Sequence, residues 1–109
     1  MSVSNEEYQK AIDAVLPDDG ILPTDPQERK NIPVYSGFIN YFPKAMCAIA
    51  KLSKKGNDVH NPGEPLHWSR DKSSDHHDCL VRHLIEGQWD AVAWRALAIL
   101  EIAIEDGWE

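Results

Sequence analysis

Apolar side chains recur every three or four residues in several segments, the spacing that predicts amphipathic helices. The first segment follows a capping-box pattern, Ser4-Asn5-Glu6-Glu7, and stops at Pro17. The second begins at Pro43, a favourable first-turn residue, and is expected to end at Gly56. The apolar stripes of these two helices are Tyr8, Ala11, Ile12, Val15 and Leu16, and Phe42, Ala45, Met46, Ile49 and Leu52.

Two further helices are predicted in the C-terminal part of the chain. The third has Ser73 or Ser74 as its cap and Asp75 in its first turn, and it ends at Gly87. Its core face is predicted to be His76, Cys79, Leu80, His83 and Leu84. The fourth, about residues 89–105, is apolar on two sides, which favours burial on two sides, one of them against another subunit. Its first stripe is Trp89, Val92, Ala93, Ala96, Leu97, Leu100 and Ile104, and its second is Ala91, Trp94, Ala98 and Ile102.

The connecting segments have no periodic pattern. Residues 17–36 contain four prolines and are expected to form a loop, whereas residues 34–41 fit extra helical turns better than a strand. Residues 57–73 also lack a pattern, but Leu66 and Trp68 argue against disorder there.

The sequence therefore predicts an all-α bundle of three to four helices with a long ordered loop at about residues 57–73. We expect one domain, residues 1–109. Within it, residues 1–31 form an N-terminal helix with a proline-rich arm, and residues 32–105 form the core. A chain this small buries a modest fraction of its surface, so a homo-oligomer is expected.

Charge is unevenly distributed along the 109 residues, whose net charge is −7. Residues 1–28 carry −6 and residues 84–109 carry −5, whereas residues 29–83 carry +4 and all five histidines. The overall negative charge argues against polymeric nucleic acid and anionic membranes as partners. Two interpretations of this pattern remain open. The charges are distributed by chance and are solvated, or the middle of the chain forms a binding site for a small anion.

The sequence also indicates a compartment. No run approaches the ~20 apolar residues of a membrane span, and the N-terminus resembles no secretion signal. Cys47 and Cys79 lie in apolar helical patterns, so we expect buried thiols in a reducing cytoplasm.

The loop before the third helix offers the first candidate site. Arg70, Lys72 and Ser73 precede a helix start, where free backbone N–H groups bind anions, and Trp68 offers an aromatic face for a base. Hydrogen bonds to a base or sugar are expected from Asn57, His60, Asn61 and His67. The alternative is structural: Leu66 and Trp68 pin the loop, while Arg70 and Lys72 pair with Glu64, Asp71 or Asp75.

Two weaker candidates follow. Asp75 and Asp78 lie one helical turn apart beside His76 and His77, an arrangement that suits a divalent cation, although a histidine on an apolar helix face is more often a core residue. Arg95, set among acids, is either a phosphate anchor or a salt-bridge partner of Asp78, Glu86 or Glu101, and the salt bridge is the simpler interpretation.

These residues form a recognisable pattern. It consists of Ile32-Pro-Val-Tyr, Tyr41-Phe-Pro-Lys-Ala, Lys55-Gly-Asn-Asp-x-His-Asn-Pro-Gly-x-Pro-Leu-His-Trp68, Asp75-x-x-Asp-Cys-Leu-x-Arg-His-Leu84 and Val92-Ala-Trp-Arg-Ala-Leu97. The pattern resembles a family of small phage and prophage proteins similar to the N-terminal domain labelled dATP/dGTP diphosphohydrolase.

The resemblance implies a viral, intracellular, helical protein that handles nucleotides. It points to Asn57, His60, Asn61, His67, Trp68, Arg82, His83, Trp94 and Arg95. The hydrolases implied by the label are MazG-like and hold Mg²⁺ with Glu-Glu-x-x-Glu, where this chain has Glu6-Glu7-x-x-Lys10.

Two functions are therefore expected. The first is capture of a phosphorylated or cyclic nucleotide without a required cofactor, which sequesters a host antiviral defence signal. The alternative is a Mg²⁺- or Mn²⁺-dependent pyrophosphohydrolase acting on purine nucleotides, with Asp75, Asp78 and His77 as its catalytic residues.

Overall fold

The computed structural model describes residues 5–7 and 22–107, and that part of the chain is helical without strands. The elements are α1 (Pro26–Lys30), a π-helical turn (Tyr35–Ile39), α2 (Pro43–His60), a 3₁₀ turn (Arg70–Lys72), α3 (His76–Ile85) and α4 (Trp89–Glu105). The all-α prediction is confirmed. The apolar stripe predicted for the first helix lies outside the described residues.

Helix α4 organises the bundle, since α2 and α3 both pack against it. The buried apolar side chains of the described residues are small: Ala91 and Ala98 of α4 and Cys79 of α3. Trp94 ties α4 to α2 by donating from Nε1 to the Ser53 hydroxyl at 2.9 Å. Small residues at the contact allow the helix axes to approach closely.

The two apolar stripes of α4 have different environments. The second stripe faces α2 and α3, with Ala91 and Ala98 buried. On the first stripe, Trp89 is 67% exposed, and Leu97 and Leu100 are also exposed. Within the described chain, α4 is therefore covered on the side of its second stripe, and the side left exposed is its first stripe.

The segment predicted as a loop at residues 17–36 contains a short helix, α1, so that prediction is wrong at residues 26–30. The Asp25 carboxylate accepts from the backbone N–H groups of Gln27 and Glu28 at 3.1 and 3.0 Å. Pro26 at the first helical position completes a common helix start. The preference of residues 34–41 for helical turns is confirmed by the π-helical turn.

Helix α2 continues through Gly56 to His60, so the prediction that Gly56 ends it is wrong. The end is set by Pro62, which disfavours helical dihedrals at the preceding residue. Asn61 accordingly adopts φ −131°. As a result, residues 57–60 belong to a helix, and the connecting loop spans residues 61–75 with the 3₁₀ turn inside it.

Helix α3 starts at His76 with Asp75 as its N-cap, and no side chain bonds to its first N–H groups. Neither Ser73 nor Ser74 caps it, because the Ser73 hydroxyl donates instead to Asp75 Oδ1 at 3.0 Å. Gly87 ends the helix as predicted, with a φ of +71° that suits glycine. Cys79 is buried as expected, but Cys47 is exposed, which corrects the prediction of two buried thiols.

None of the helices in residues 5–7 and 22–107 is long and apolar enough to cross a membrane.

Candidate functional site

A cleft of about 860 Å³ lies between α2, α3, α4 and the 61–75 loop. Most residues proposed from the sequence line it together. These are Asn57, His60, Asn61, His67, Trp68, Arg70, Lys72, Ser73, Trp94 and Arg95. Its size suits a mononucleotide or a similar small molecule.

One face of α2 forms the first wall. Ile49, Leu52, Ser53, Gly56 and His60 recur at helical spacing and line the cleft. A side chain added at Gly56 would meet no atom within 4 Å. Along this face of α2, the apolar residues of the earlier turns give way to serine, glycine and histidine in the last two turns. The glycine has no side chain, which leaves room for a ligand.

Two buried asparagines hold the loop in place. Asn57 Nδ2 donates to the Glu64 carbonyl at 3.2 Å, and its Oδ1 accepts from the Asn61 side chain at 3.3 Å. Asn61 Oδ1 accepts from Ser69 Oγ at 3.2 Å. Both asparagines are 5% exposed. They border the cleft, but most of their hydrogen-bonding groups are used to shape the loop.

Trp68 is half-buried in the cleft wall. The guanidinium of Arg70 lies over its ring, 4.2 Å from the ring centre, and Arg70 also forms a salt bridge with Glu105 of α4. Arg70 therefore pairs with none of the carboxylates expected from the sequence. Because Arg70 covers one face of Trp68, a base stacked on this indole uses the opposite face or displaces the arginine.

Lys72 closes the C-terminal end of α2. Its Nζ donates to the His60 carbonyl at 2.8 Å and to Asn61 Oδ1 at 2.6 Å, and it forms no salt bridge with a described carboxylate. A cation at a helix C-terminus is stabilised by the helix dipole. The positive charge of Lys72 thereby remains beside the cleft.

Arg95 is the distinctive charge of the site. Its Nη1 donates to Ser73 Oγ and to His76 Nδ1, both at 2.9 Å. None of the described carboxylates pairs with it, so the expected salt bridge to Asp78, Glu86 or Glu101 is not formed. A partly buried cation held only by neutral groups is costly, and an anion in the cleft would offset that cost.

His76 has a buried ring nitrogen without a hydrogen-bond partner. Its Nδ1 accepts from Arg95, so Nε2 bears the proton of the neutral ring, and Nε2 is buried without a hydrogen-bond partner. Burial lowers the pKa of His76 below its ordinary value of 6.5, and the Arg95 charge lowers it further. The ring packs against Trp68 and Trp94, at centroid distances of 6.5 and 6.3 Å, and the two indoles also contact each other at 5.7 Å.

Other proposed residues lie outside the cleft. Arg82 contacts Asp75 at 3.5 Å and Cys79 Sγ at 3.1 Å on the outer side of α3. Hydrogen bonds from Ser73, and then from Cys79, hold the pKa of Asp75 below its usual 3.8. Asp75, His77 and Asp78 do not line the cleft.

The residues suggested for Mg²⁺ or Mn²⁺ do not form a metal centre in this arrangement. Asp75 is bonded to Ser73 and Arg82, and His76 Nδ1 is occupied by Arg95. Among the residues that the structure describes, no three His, Cys, Asp or Glu side chains come together to hold an ion. The donor set therefore does not fit a divalent cation.

Several lining residues were not proposed as ligand-binding residues from the sequence. They include Ser53, Gly56, His76, Leu97, Ala98 and Glu101. A signal for the α2 residues was present: the stripe that starts with Met46 and Ile49 continues into Ser53, Gly56, Asn57 and His60 at the same spacing. Polar residues and glycine on a helix face that otherwise packs in the core indicate that this part of the face lines a cleft and is not packed against protein.

The chain matches no protein-family model, and it has no match among curated proteins or solved structures.

Proposed function

We propose that the protein binds a small phosphorylated molecule, a nucleotide or cyclic nucleotide, in this cleft. The observation that carries the proposal is Arg95, a partly buried cation aimed at Ser73 and His76 with no carboxylate partner among the described residues. His76, which accepts from Arg95, also lines the cleft. Phosphate oxygens accept strong hydrogen bonds from a guanidinium.

The surrounding walls support a nucleotide over a bare anion. The cleft of about 860 Å³ is far larger than one phosphate group, and its apolar lining includes Leu52, Leu66, Trp94 and Leu97. Trp68 and Trp94 provide aromatic surface for a base, and base–aromatic stacking is worth about 1–3 kcal/mol.

The biological role that we propose is capture rather than turnover. The departure of Glu6-Glu7-x-x-Lys10 from the MazG-like metal-binding pattern and the lack of a fitting metal centre in the described residues both favour a protein that holds a nucleotide intact. Sequestration of a nucleotide signal made by host defence is the proposed use. We also propose that the protein works as a homo-oligomer that buries the exposed first-stripe residues of α4 outside the cleft, Trp89 and Leu100.

Calorimetric titration with mono-, di- and cyclic nucleotides tests the binding. Arg95→Gln is expected to weaken binding at least about tenfold, since a hydrogen bond to a charged group contributes about 1.5–3 kcal/mol. Arg82→Gln is the matched control, because it removes the same charge outside the cleft, and it is expected to leave the affinity within about twofold.

Two outcomes contradict the proposal. If no nucleotide binds more tightly than about 1 mM, the cleft is not a nucleotide site. If the bound nucleotide is recovered hydrolysed after incubation with Mg²⁺ or Mn²⁺, and Asp78→Ala abolishes the hydrolysis, the protein is the pyrophosphohydrolase instead. Recovery of intact ligand from the denatured complex supports capture.

A further inference from the structure

Glu101 stands out because, among the described residues, it is the one carboxylate that lines the cleft. None of the described side chains forms a salt bridge with it, in contrast to Glu105, which is held by Arg70. An exposed carboxylate at this position has acceptor oxygens that remain available to a ligand.

The distance between Glu101 and Arg95 is set by α4. Glu101 follows Arg95 by six positions, which corresponds to a rise of about 9 Å along the helix axis. Leu97 and Ala98 lie between them and also line the cleft. Along α4 the cleft therefore has the unpaired Arg95 at one end, an apolar middle, and the unpaired Glu101 towards the other end, where the charge of Arg70 is already paired with Glu105.

This order constrains a bound nucleotide. A phosphate is attracted to Arg95 and repelled by Glu101, so the opposite end of the ligand meets the carboxylate. That end must present N–H or O–H donors, because an ionised carboxylate only accepts. The ribose hydroxyls of a 5′-nucleotide lie closer to the phosphate than the base edge does, so the separation favours contact with the base.

Guanine fits this requirement better than the other bases. Its N1–H and N2 amino group are adjacent donors that match the two oxygens of a carboxylate. Adenine and cytosine place a ring-nitrogen acceptor beside their amino group, where a carboxylate oxygen is repelled. Uracil and thymine place their single ring N–H donor between two carbonyls.

We propose that the cleft selects guanine nucleotides, with the Glu101 carboxylate accepting from N1–H and the N2 amino group while Arg95 binds the phosphate. The inference rests on the proposed nucleotide binding and adds its base specificity.

Titration with four 5′-monophosphates tests it: those of guanosine, inosine, adenosine and 2′-deoxyguanosine. Guanosine monophosphate is expected to bind most tightly, with inosine and adenosine monophosphates at least about fivefold weaker, since both lack the N2 amino donor of a bidentate base contact. The 2′-deoxy compound is expected to match guanosine monophosphate within about twofold. Glu101→Gln is expected to remove most of the preference for guanine, whereas the control Glu86→Gln, an acid that does not line the cleft, retains it.

The outcomes separate the two proposals. If none of the four compounds binds, nucleotide binding is wrong and this inference falls with it. If all four bind equally and Glu101→Gln changes nothing, binding stands and guanine selectivity is wrong. If loss of the 2′-hydroxyl weakens binding while loss of the N2 amino group does not, Glu101 contacts the ribose and the guanine assignment is overturned.

Discussion

His76 joins the cation of the site to its aromatic wall. It is 8% exposed, accepts from Arg95 and packs against two indoles. Protonation would place a second positive charge next to Arg95 and remove the acceptor at Nδ1. The folded protein therefore favours the neutral ring, and the pKa of His76 is lowered, first by burial and then by Arg95.

This lowered pKa predicts a loss of stability in mild acid. The unfolded chain binds a proton at His76 near the ordinary pKa of about 6.5, before the folded chain does. The contribution of His76 is thus fully present above pH 6.5 and is lost as the pH falls below it. Urea unfolding at pH 7.5 and 5.5 measures the effect.

Two variants separate His76 from other titrating groups. His76→Phe is expected to reduce the difference in unfolding free energy between the two pH values. The control His60→Phe, at an exposed position of α2, is expected to leave that difference unchanged. Equal pH dependence in His76→Phe and the wild type would show that the ring does not contribute.

Helix α2 carries a glycine where its own stability disfavours one. Gly56 lies inside the helix and has no need of an unusual backbone conformation, since its φ is not positive. A glycine in a helix interior costs about 0.5–1 kcal/mol relative to alanine. The open space above Gly56 is part of the cleft, so the glycine gives a ligand access to the backbone of α2.

Substitutions at Gly56 separate stability from binding. Gly56→Ala is expected to raise the unfolding free energy by about 0.5–1 kcal/mol, because it restricts the unfolded chain and meets no neighbouring atom. Gly56→Leu is expected to fold but to weaken nucleotide binding at least tenfold by filling the cleft. Urea unfolding and calorimetry measure the two effects.

Ala50→Leu serves as the control, because it places the same leucine side chain on the exposed surface of α2 outside the cleft. It is expected to keep the wild-type affinity. Unchanged nucleotide affinity in Gly56→Leu would place the ligand elsewhere.

The whole molecule exposes much of its apolar surface. No large side chain of the described residues is fully buried, and Trp89, Ile85 and Tyr35 are at least 67% exposed. The first stripe of α4 contributes Trp89 and Leu100 to this surface, outside the cleft. Exposed apolar side chains that gather on one helix face are typical of subunit contacts.

Burial of the first stripe of α4 predicts a homo-oligomer that one charge disrupts. The wild type is expected to sediment above the 12.3 kDa of a single chain, and Leu100→Glu is expected to shift it to the monomer. Val59→Glu, which adds the same charge at an exposed position of α2, is the control and should still assemble. A wild type that sediments as a monomer at about 100 μM contradicts this prediction.

Local sequence patterns were sufficient to predict most of the helices. The stripe of residues 89–105 predicted α4 with its observed bounds, and Gly87 marked the end of α3. Helix ends that depend on competition between signals were not predicted: Pro62 rather than Gly56 decided where α2 stops. The short helix α1 was missed because its cap, Asp25 with Pro26, lies in a segment without an apolar stripe.

The sequence by itself determined the all-helical class and placed most of the lining residues in one stretch, because helix periodicity and loop composition are local properties. Only the tertiary structure decided what each of these side chains does. The side chains of Asn57 and Asn61 are buried and hydrogen-bonded to each other, which holds the loop. Arg70 pairs with Glu105, 35 positions away in the sequence. Arg95 has only neutral hydrogen-bond partners, because tertiary packing decides which groups lie within a few ångströms of a charge.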